Sequence, residues 1–187
     1  MTRFLHFCTL LLFAFSLSAQ TEAVTTFLGI PIDGTKSEMI KKLKAKGYTD
    51  CPYAKDAVSG EFNGVDVNIY IHTNNNLVYR LCIIDNNLRG ESQIKIRYNH
   101  LCNQFQNNSR YMIVDPTISD YSLSDNEDIK YEITVNDKQY QASYFQNPDT
   151  PGFLDRLVWF TIAESYGEYG IIMFYENLKN AANGEDL

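Results

Sequence analysis

Two hydrophobic periods alternate along this chain, and the order in which they occur predicts the fold. Thr35 and Glu38 have the spacing of a capping box, which marks the start of a helix. Met39 and Leu43 then recur at helical spacing and form a narrow apolar stripe, and Gly47 provides a stop. The pattern therefore predicts a first helix that packs one face against other elements.

Strand-like alternation follows this helix. Residues 57–62 lead into Asn63-Gly64, a strong hairpin signal, and residues 65–72 then alternate strictly between apolar and polar side chains. After the turn at Asn74–Asn76, residues 77–84 are apolar on both faces, which predicts a central strand. The first unit is thus predicted to be a helix and a three-strand meander.

The same order of elements repeats in the second half. Ile94, Tyr98, Leu101 and Phe105 share one stripe and predict a helix from about Glu91 to Gln106. The later patterns predict four strands, at residues 129–135, 139–145, 154–163 and 170–175. We therefore expect a single α+β domain over residues 20–187, made of two units at about 27–87 and 88–187. Its helices should pack on one face of an antiparallel sheet.

The N-terminus predicts export. Arg3 precedes an apolar stretch from Phe4 to Phe15, and the small residues up to Ala19 resemble a cleavage site, so residues 1–19 are expected to be a signal peptide. A membrane anchor is the alternative, but the apolar stretch is shorter than the roughly 20 residues of a spanning helix and His6 interrupts it. The expected location is periplasmic, envelope-associated or extracellular, and no later segment is expected to span a membrane.

Charge narrows the set of partners. The formal charge is −7, and loss of Arg3 with the signal peptide, which contains no acidic residue, makes it −8 for the remaining 168 residues. A nucleic-acid-binding protein needs a basic excess to neutralise phosphates, so nucleic acid is not expected as a partner. The oligomeric state is left open.

The sequence has few residues of the types that serve as catalytic groups or metal ligands. The expected mature chain has only His72 and His100, and its cysteines are Cys51, Cys82 and Cys102. Zinc-site spacings, glycine-rich phosphate loops and a serine nucleophile elbow are absent, so no catalytic residue, cofactor or metal site is predicted. The three thiols either include one disulfide or are all buried and free.

Two further patterns carry alternatives. The segment 115–128 is acidic, and it is either a calcium-binding segment or a solvated loop. The solvated loop is favoured because the segment lacks the residue spacing of an EF-hand. The 13 tyrosines either complete the core or form a recognition surface. In the second case, Tyr70, Tyr140, Tyr144 and Trp159 are the predicted partner-binding anchors.

Two stretches of the chain resemble a group of small secreted proteins of unknown function from anaerobic gut bacteria. They are Phe27 to Leu43 and Tyr175 to Leu178 with Asn183 to Leu187. The tandem order of helix and meander is also similar to the β-lactamase-inhibitor-protein-like fold, which implies binding of other proteins on a concave sheet face.

These features favour a non-enzymatic exported binding module that recognises a protein or a glycan through a tyrosine-rich sheet face. The alternative is a structural or assembly factor of the cell envelope. A small hydrolase with a cysteine nucleophile is a third hypothesis.

Overall fold

A computed structural model describes residues 23–182. The predicted signal peptide, residues 1–19, lies outside the described residues. Within residues 23–182, no helix is long and apolar enough to span a bilayer.

Three helices are present: α1 (Lys36–Ala45), α2 (Glu91–Gln106) and α3 (Ile129–Asn136). The predicted capping box starts α1, because the Glu38 amide donates to Thr35 Oγ1 at 3.3 Å and the Thr35 amide donates to Glu38 Oε2 at 2.9 Å. Helix α2 has the predicted bounds. Two short 3-10 turns, Phe153–Asp155 and Leu178–Asn180, flank the last two strands.

Ten strands complete the structure. The first two, β1 (Thr26–Phe27) and β2 (Ile30–Pro31), form a small hairpin of their own. The other eight form one sheet: β3 (Thr49–Asp50), β4 (Ala57–Phe62), β5 (Val65–Asn74), β6 (Leu77–Asp85), β7 (Tyr111–Ile113), β8 (Gln141–Gln146), β9 (Arg156–Ser165) and β10 (Glu168–Asn177).

All pairs in this sheet are antiparallel, and the strand order is β3-β4-β5-β6-β10-β9-β8-β7. The two predicted units therefore contribute four strands each and join where β6 pairs with β10. The register at this junction places Met173 opposite Ile83 and Tyr175 opposite Leu81. The expected α+β class with an antiparallel sheet is confirmed.

The core lies on one side of the sheet, where α1 and α2 pack. Met39 and Leu43 of α1 and Tyr98 of α2 are buried there with alternate side chains of the strands. The Tyr98 ring contacts the Phe160 ring edge-on, with centroids 5.2 Å apart. The β1-β2 hairpin joins the same layer, because Phe27 packs against the rings of Phe62 and Tyr175. We call this side the helix face.

The prediction of a strand at residues 129–135 is wrong, because these residues form α3. Asp128 caps the helix by accepting a hydrogen bond from the Tyr131 amide at 2.8 Å. Ile129 is buried, whereas Tyr131 and Val135 are 52% and 58% exposed. The missing strand is replaced at the sheet edge by β7, which lies in a stretch that had no strand signal. The Asp128 cap and the four-residue spacing of Ile129 and Ile133 favour the helix over the strand that the alternation predicts.

Candidate functional site

The second side of the sheet, which we call the open face, presents rows of side chains that cross six strands. Antiparallel register places one row on β4, β5, β6, β10, β9 and β8 in that order. The row consists of Ala57, Tyr70, Cys82, Phe174, Trp159 and Ser143. Aromatic side chains therefore occupy the middle of the face, on both units of the chain.

A second row lies beside the first and changes character along its length. It runs over β5, β6, β10, β9, β8 and β7 through His72, Arg80, Glu176, Leu157, Phe145 and Met112. The first half carries ionisable groups, whereas the second half is apolar. Phe153 extends the apolar half, since its ring contacts Phe145 edge-on at 5.5 Å.

The third row is more polar and borders the aromatic centre. It contains Ser59, Asn68, Ile84, Ile172, Thr161 and Gln141. Six strands about 4.8 Å apart span about 24 Å, and rows on one face are separated by about 7 Å. The open face is thus a broad surface with an aromatic centre and borders that carry both polar and apolar side chains.

Trp159 is held in place by its neighbours. Its ring stacks on Phe174 with centroids 4.0 Å apart and planes 21° apart. The indole Nε1 donates to Glu176 Oε1 at 2.8 Å, and the same oxygen lies 2.8 Å from a guanidinium nitrogen of Arg80. Because Glu176 is only 4% exposed, this carboxylate is a fixed acceptor that orients both Trp159 and Arg80.

Phe174 contacts both Trp159 and Arg80. Trp159 stacks on its ring, and the Arg80 guanidinium carbon lies 5.3 Å from the Phe174 centroid and 5.4 Å from the Tyr79 centroid. His72 packs near Tyr79, and burial followed by the charge of Arg80 lowers the pKa of this imidazole. His72 is therefore a neutral imidazole at neutral pH.

The four predicted anchors do not lie together. Tyr70 and Trp159 are half-buried on the open face. Tyr140 and Tyr144 are buried on the helix face, with 3% and 0% of their surface exposed. Their assignment to the partner-binding surface is corrected, because a side chain without exposed surface is not available to a partner.

The contacts of these two tyrosines explain their burial. The Tyr144 ring stacks on Phe105 of α2 with centroids 4.8 Å apart, and Tyr140 donates its hydroxyl to Glu127 at 2.7 Å. Phe174, Leu157 and Phe145 take their place on the open face. These positions lie within residues 141–146, 156–165 and 168–177, but the sequence pattern of a strand alone does not say which face a helix covers.

Residues 23–182 contain three cysteines, Cys51, Cys82 and Cys102, and all three are buried free thiols. Burial raises the pKa of Cys82 to about 11 and that of Cys102 to about 12, so both are protonated at neutral pH. His100 is exposed on α2, two residues from the fully buried Cys102. These arrangements disfavour Cys82 and Cys102 as nucleophiles.

The acidic segment is engaged in local contacts. Asp115 accepts from Thr117, Asp120 accepts from Ser122, and Glu127 pairs with Lys138. Within residues 23–182, no three or more His, Cys, Asp or Glu side chains lie close enough together to hold a metal ion. The carboxylates of this segment thus serve as turn and helix caps in the structure.

Comparisons of the chain with protein-family models, with curated proteins and with solved structures found no match.

Proposed function

We propose that this protein is an exported, non-enzymatic binding module that recognises a protein partner through the open face of its sheet. The observation that carries the proposal is the row of aromatic and apolar side chains across six strands, with Tyr70 and Trp159 as anchors. Trp, Tyr and Arg dominate the energetics of protein interfaces, and all three occur at the centre of this face. The export part rests on the sequence of residues 1–19.

Preorganisation supports the anchor role of Trp159. An interface gains affinity when its side chains already hold the bound geometry, because less rotamer entropy is lost on association. The contacts of Trp159 with Phe174 and Glu176 provide that order in the free protein. The Tyr70 hydroxyl has no hydrogen-bond partner among the described residues, and it is therefore a donor and acceptor for a partner.

The shape of the face favours a protein over a glycan. Its rows of side chains extend over six strands, about 24 Å, which is much wider than a single sugar ring. Three cavities of the described residues open elsewhere, and neither Trp159 nor Tyr70 lines them. A broad surface matches a protein interface better than a small-ligand site, which is concave.

The test compares variants that differ only in the face they alter. The protein without residues 1–19 is used as bait in an envelope extract of the source organism, together with Tyr70→Ser/Trp159→Ala and with Tyr131→Ala as control. Tyr131 is exposed on α3, away from the open face. Circular dichroism and thermal unfolding first establish that all three proteins are folded.

We expect a partner that wild type and the control retain and that the open-face variant loses. Binding by purified components should then weaken at least about a hundredfold in the double variant, since each hot-spot truncation costs about 2 kcal/mol or more. Equal capture by all three proteins, or no protein above background at several ionic strengths, would contradict the proposal.

A further inference from the structure

We infer a second binding site, on the helix face, that accepts an uncharged sugar residue. A cavity of about 490 Å³ opens between the β1-β2 hairpin and the C-terminal end of α2. Its volume lies in the range of small-molecule sites, about 300–1,000 Å³. Because the sheet separates this cavity from the open face, the inference does not depend on the proposed function.

Aromatic rings form the apolar part of the cavity. Phe62, Phe105, Tyr111 and Tyr175 all line it; Phe62 and Tyr111 are partly exposed, and the buried Phe105 and Tyr175 lie behind them. Phe105 and Tyr111 contact each other edge-on with centroids 4.7 Å apart, which holds the Tyr111 ring in place. The C–H groups of a sugar ring can pack on partly exposed rings such as Phe62 and Tyr111, while its hydroxyl groups remain free for hydrogen bonds.

Amide side chains form the polar part. Asn63, Gln104 and Asn108 line the rim, and Asn63 donates to Gln104 Oε1 at 2.5 Å. The side-chain oxygen Oδ1 of Asn108 accepts a hydrogen bond from the backbone amide of Arg110 at 3.1 Å. These contacts leave Asn63 Oδ1 as an acceptor and Gln104 Nε2 and Asn108 Nδ2 as donors. A mixture of donors and acceptors matches hydroxyl groups, which donate and accept.

The buried side-chain amide of Gln146 fixes one wall of the cavity by hydrogen bonds. Gln146, which is 2% exposed, accepts from the Thr26 amide at 2.7 Å and donates to the Thr26 carbonyl at 3.0 Å. It also donates to the Tyr111 hydroxyl at 3.1 Å. This network joins β1, β7 and β8 and holds the Tyr111 ring in position, so the site is formed before a ligand enters.

Charge selects an uncharged ligand. The lining contains no carboxylate, so an amine ligand would have no counter-ion there. Arg110 is the one charged residue of the lining, and its side chain is exposed, so solvent and salt screen its charge. The glucuronate arm of the experiment below tests whether that charge selects an anion instead.

The turn of the β1-β2 hairpin forms part of the cavity. Leu28 has φ = 51° and Gly29 has φ = 77°, as a two-residue type I′ loop requires, and both residues line the cavity. The 41% exposed Leu28 side chain stands at the mouth, where it would cover a bound ring.

The experiment titrates the ¹⁵N-labelled protein with glucose, galactose, mannose, N-acetylglucosamine and glucuronate, and follows amide shifts by NMR. Gln104→Ala is compared with Gln93→Ala, which removes the same side chain from the same helix outside the cavity. Methyl glycosides of the sugar that binds distinguish a glycan terminus from a free sugar. Fluorescence of Trp159 monitors the opposite face.

We expect at least one uncharged sugar to give saturable shifts at Gln104, Asn108 and Tyr111 without a change in Trp159 emission. Gln104→Ala should weaken binding about fivefold, whereas Gln93→Ala should not. The inference is overturned if no uncharged sugar gives saturable shifts at about 50 mM, a concentration that detects millimolar binding. It is also overturned if glucuronate binds best, or if the two glutamine variants behave alike.

Discussion

Glu176 organises the open face, and its replacement gives a measurable prediction. Its carboxylate accepts the indole hydrogen bond of Trp159 and pairs with Arg80, both at 2.8 Å. Glu176→Gln keeps an oxygen for the indole but loses the charge that faces Arg80. Glu176→Leu has a similar size and removes both contacts.

The two variants should lower the free energy of unfolding by different amounts. A charge-assisted hydrogen bond contributes about 1.5–3 kcal/mol and a neutral one about 0.5–1.5 kcal/mol. Since the Arg80 side chain is 32% exposed, screening reduces the loss of the ion pair, and we expect Glu176→Gln to cost about 1 kcal/mol. Glu176→Leu should cost about 3 kcal/mol, because it leaves the indole N–H and the guanidinium without their acceptor.

Urea unfolding followed by Trp159 emission measures both quantities, because Trp159 is the single tryptophan of the chain. We also expect a red shift of the folded-state emission in Glu176→Leu but not in Glu176→Gln, as the ring loses its fixed position. Glu61→Leu, an exposed carboxylate on the same face, is the control and should cost less than about 0.5 kcal/mol. Equal costs for Glu176→Leu and Glu61→Leu would refute the organising role of Glu176.

Two further predictions concern the sheet and the buried thiols. A Cβ on Gly60 would lie 2.6 Å from Tyr48 Cδ1, so Gly60→Ala should cost about 1–3 kcal/mol in chemical denaturation but almost nothing in a Tyr48→Leu background. Cys102 has a folded pKa of about 12, above its unfolded value of about 8.5–9, so its stabilising contribution is complete below pH 8.5 and is lost as pH rises towards 12. Unfolding free energy should therefore fall by up to about 1.4 kcal/mol per pH unit in that range, and less steeply in Cys102→Ala; an unchanged slope in the variant would contradict the burial argument.

Local signals predicted most of the secondary structure because their causes are local. The capping box of Thr35 and Glu38 and the stripe through Ile94 and Leu101 depend on neighbours within one or two helical turns. The segment from Ile129 shows where such signals are ambiguous. Its apolar residues alternate, but Ile129 and Ile133 are also four residues apart, and the Asp128 cap favours the helical alternative.

The faces of the sheet required information that no local pattern contains. Tyr144 and Trp159 each lie in an alternating strand, yet register places Tyr144 opposite Val158 and Trp159 opposite Ser143, so the two aromatic residues point to opposite sides. Which side is covered depends on the packing of α2, since Phe105 stacks on Tyr144. The aromatic residues of this chain therefore serve two purposes. Those that meet a helix build the core and one wall of the cavity, whereas those on the other side form the open face.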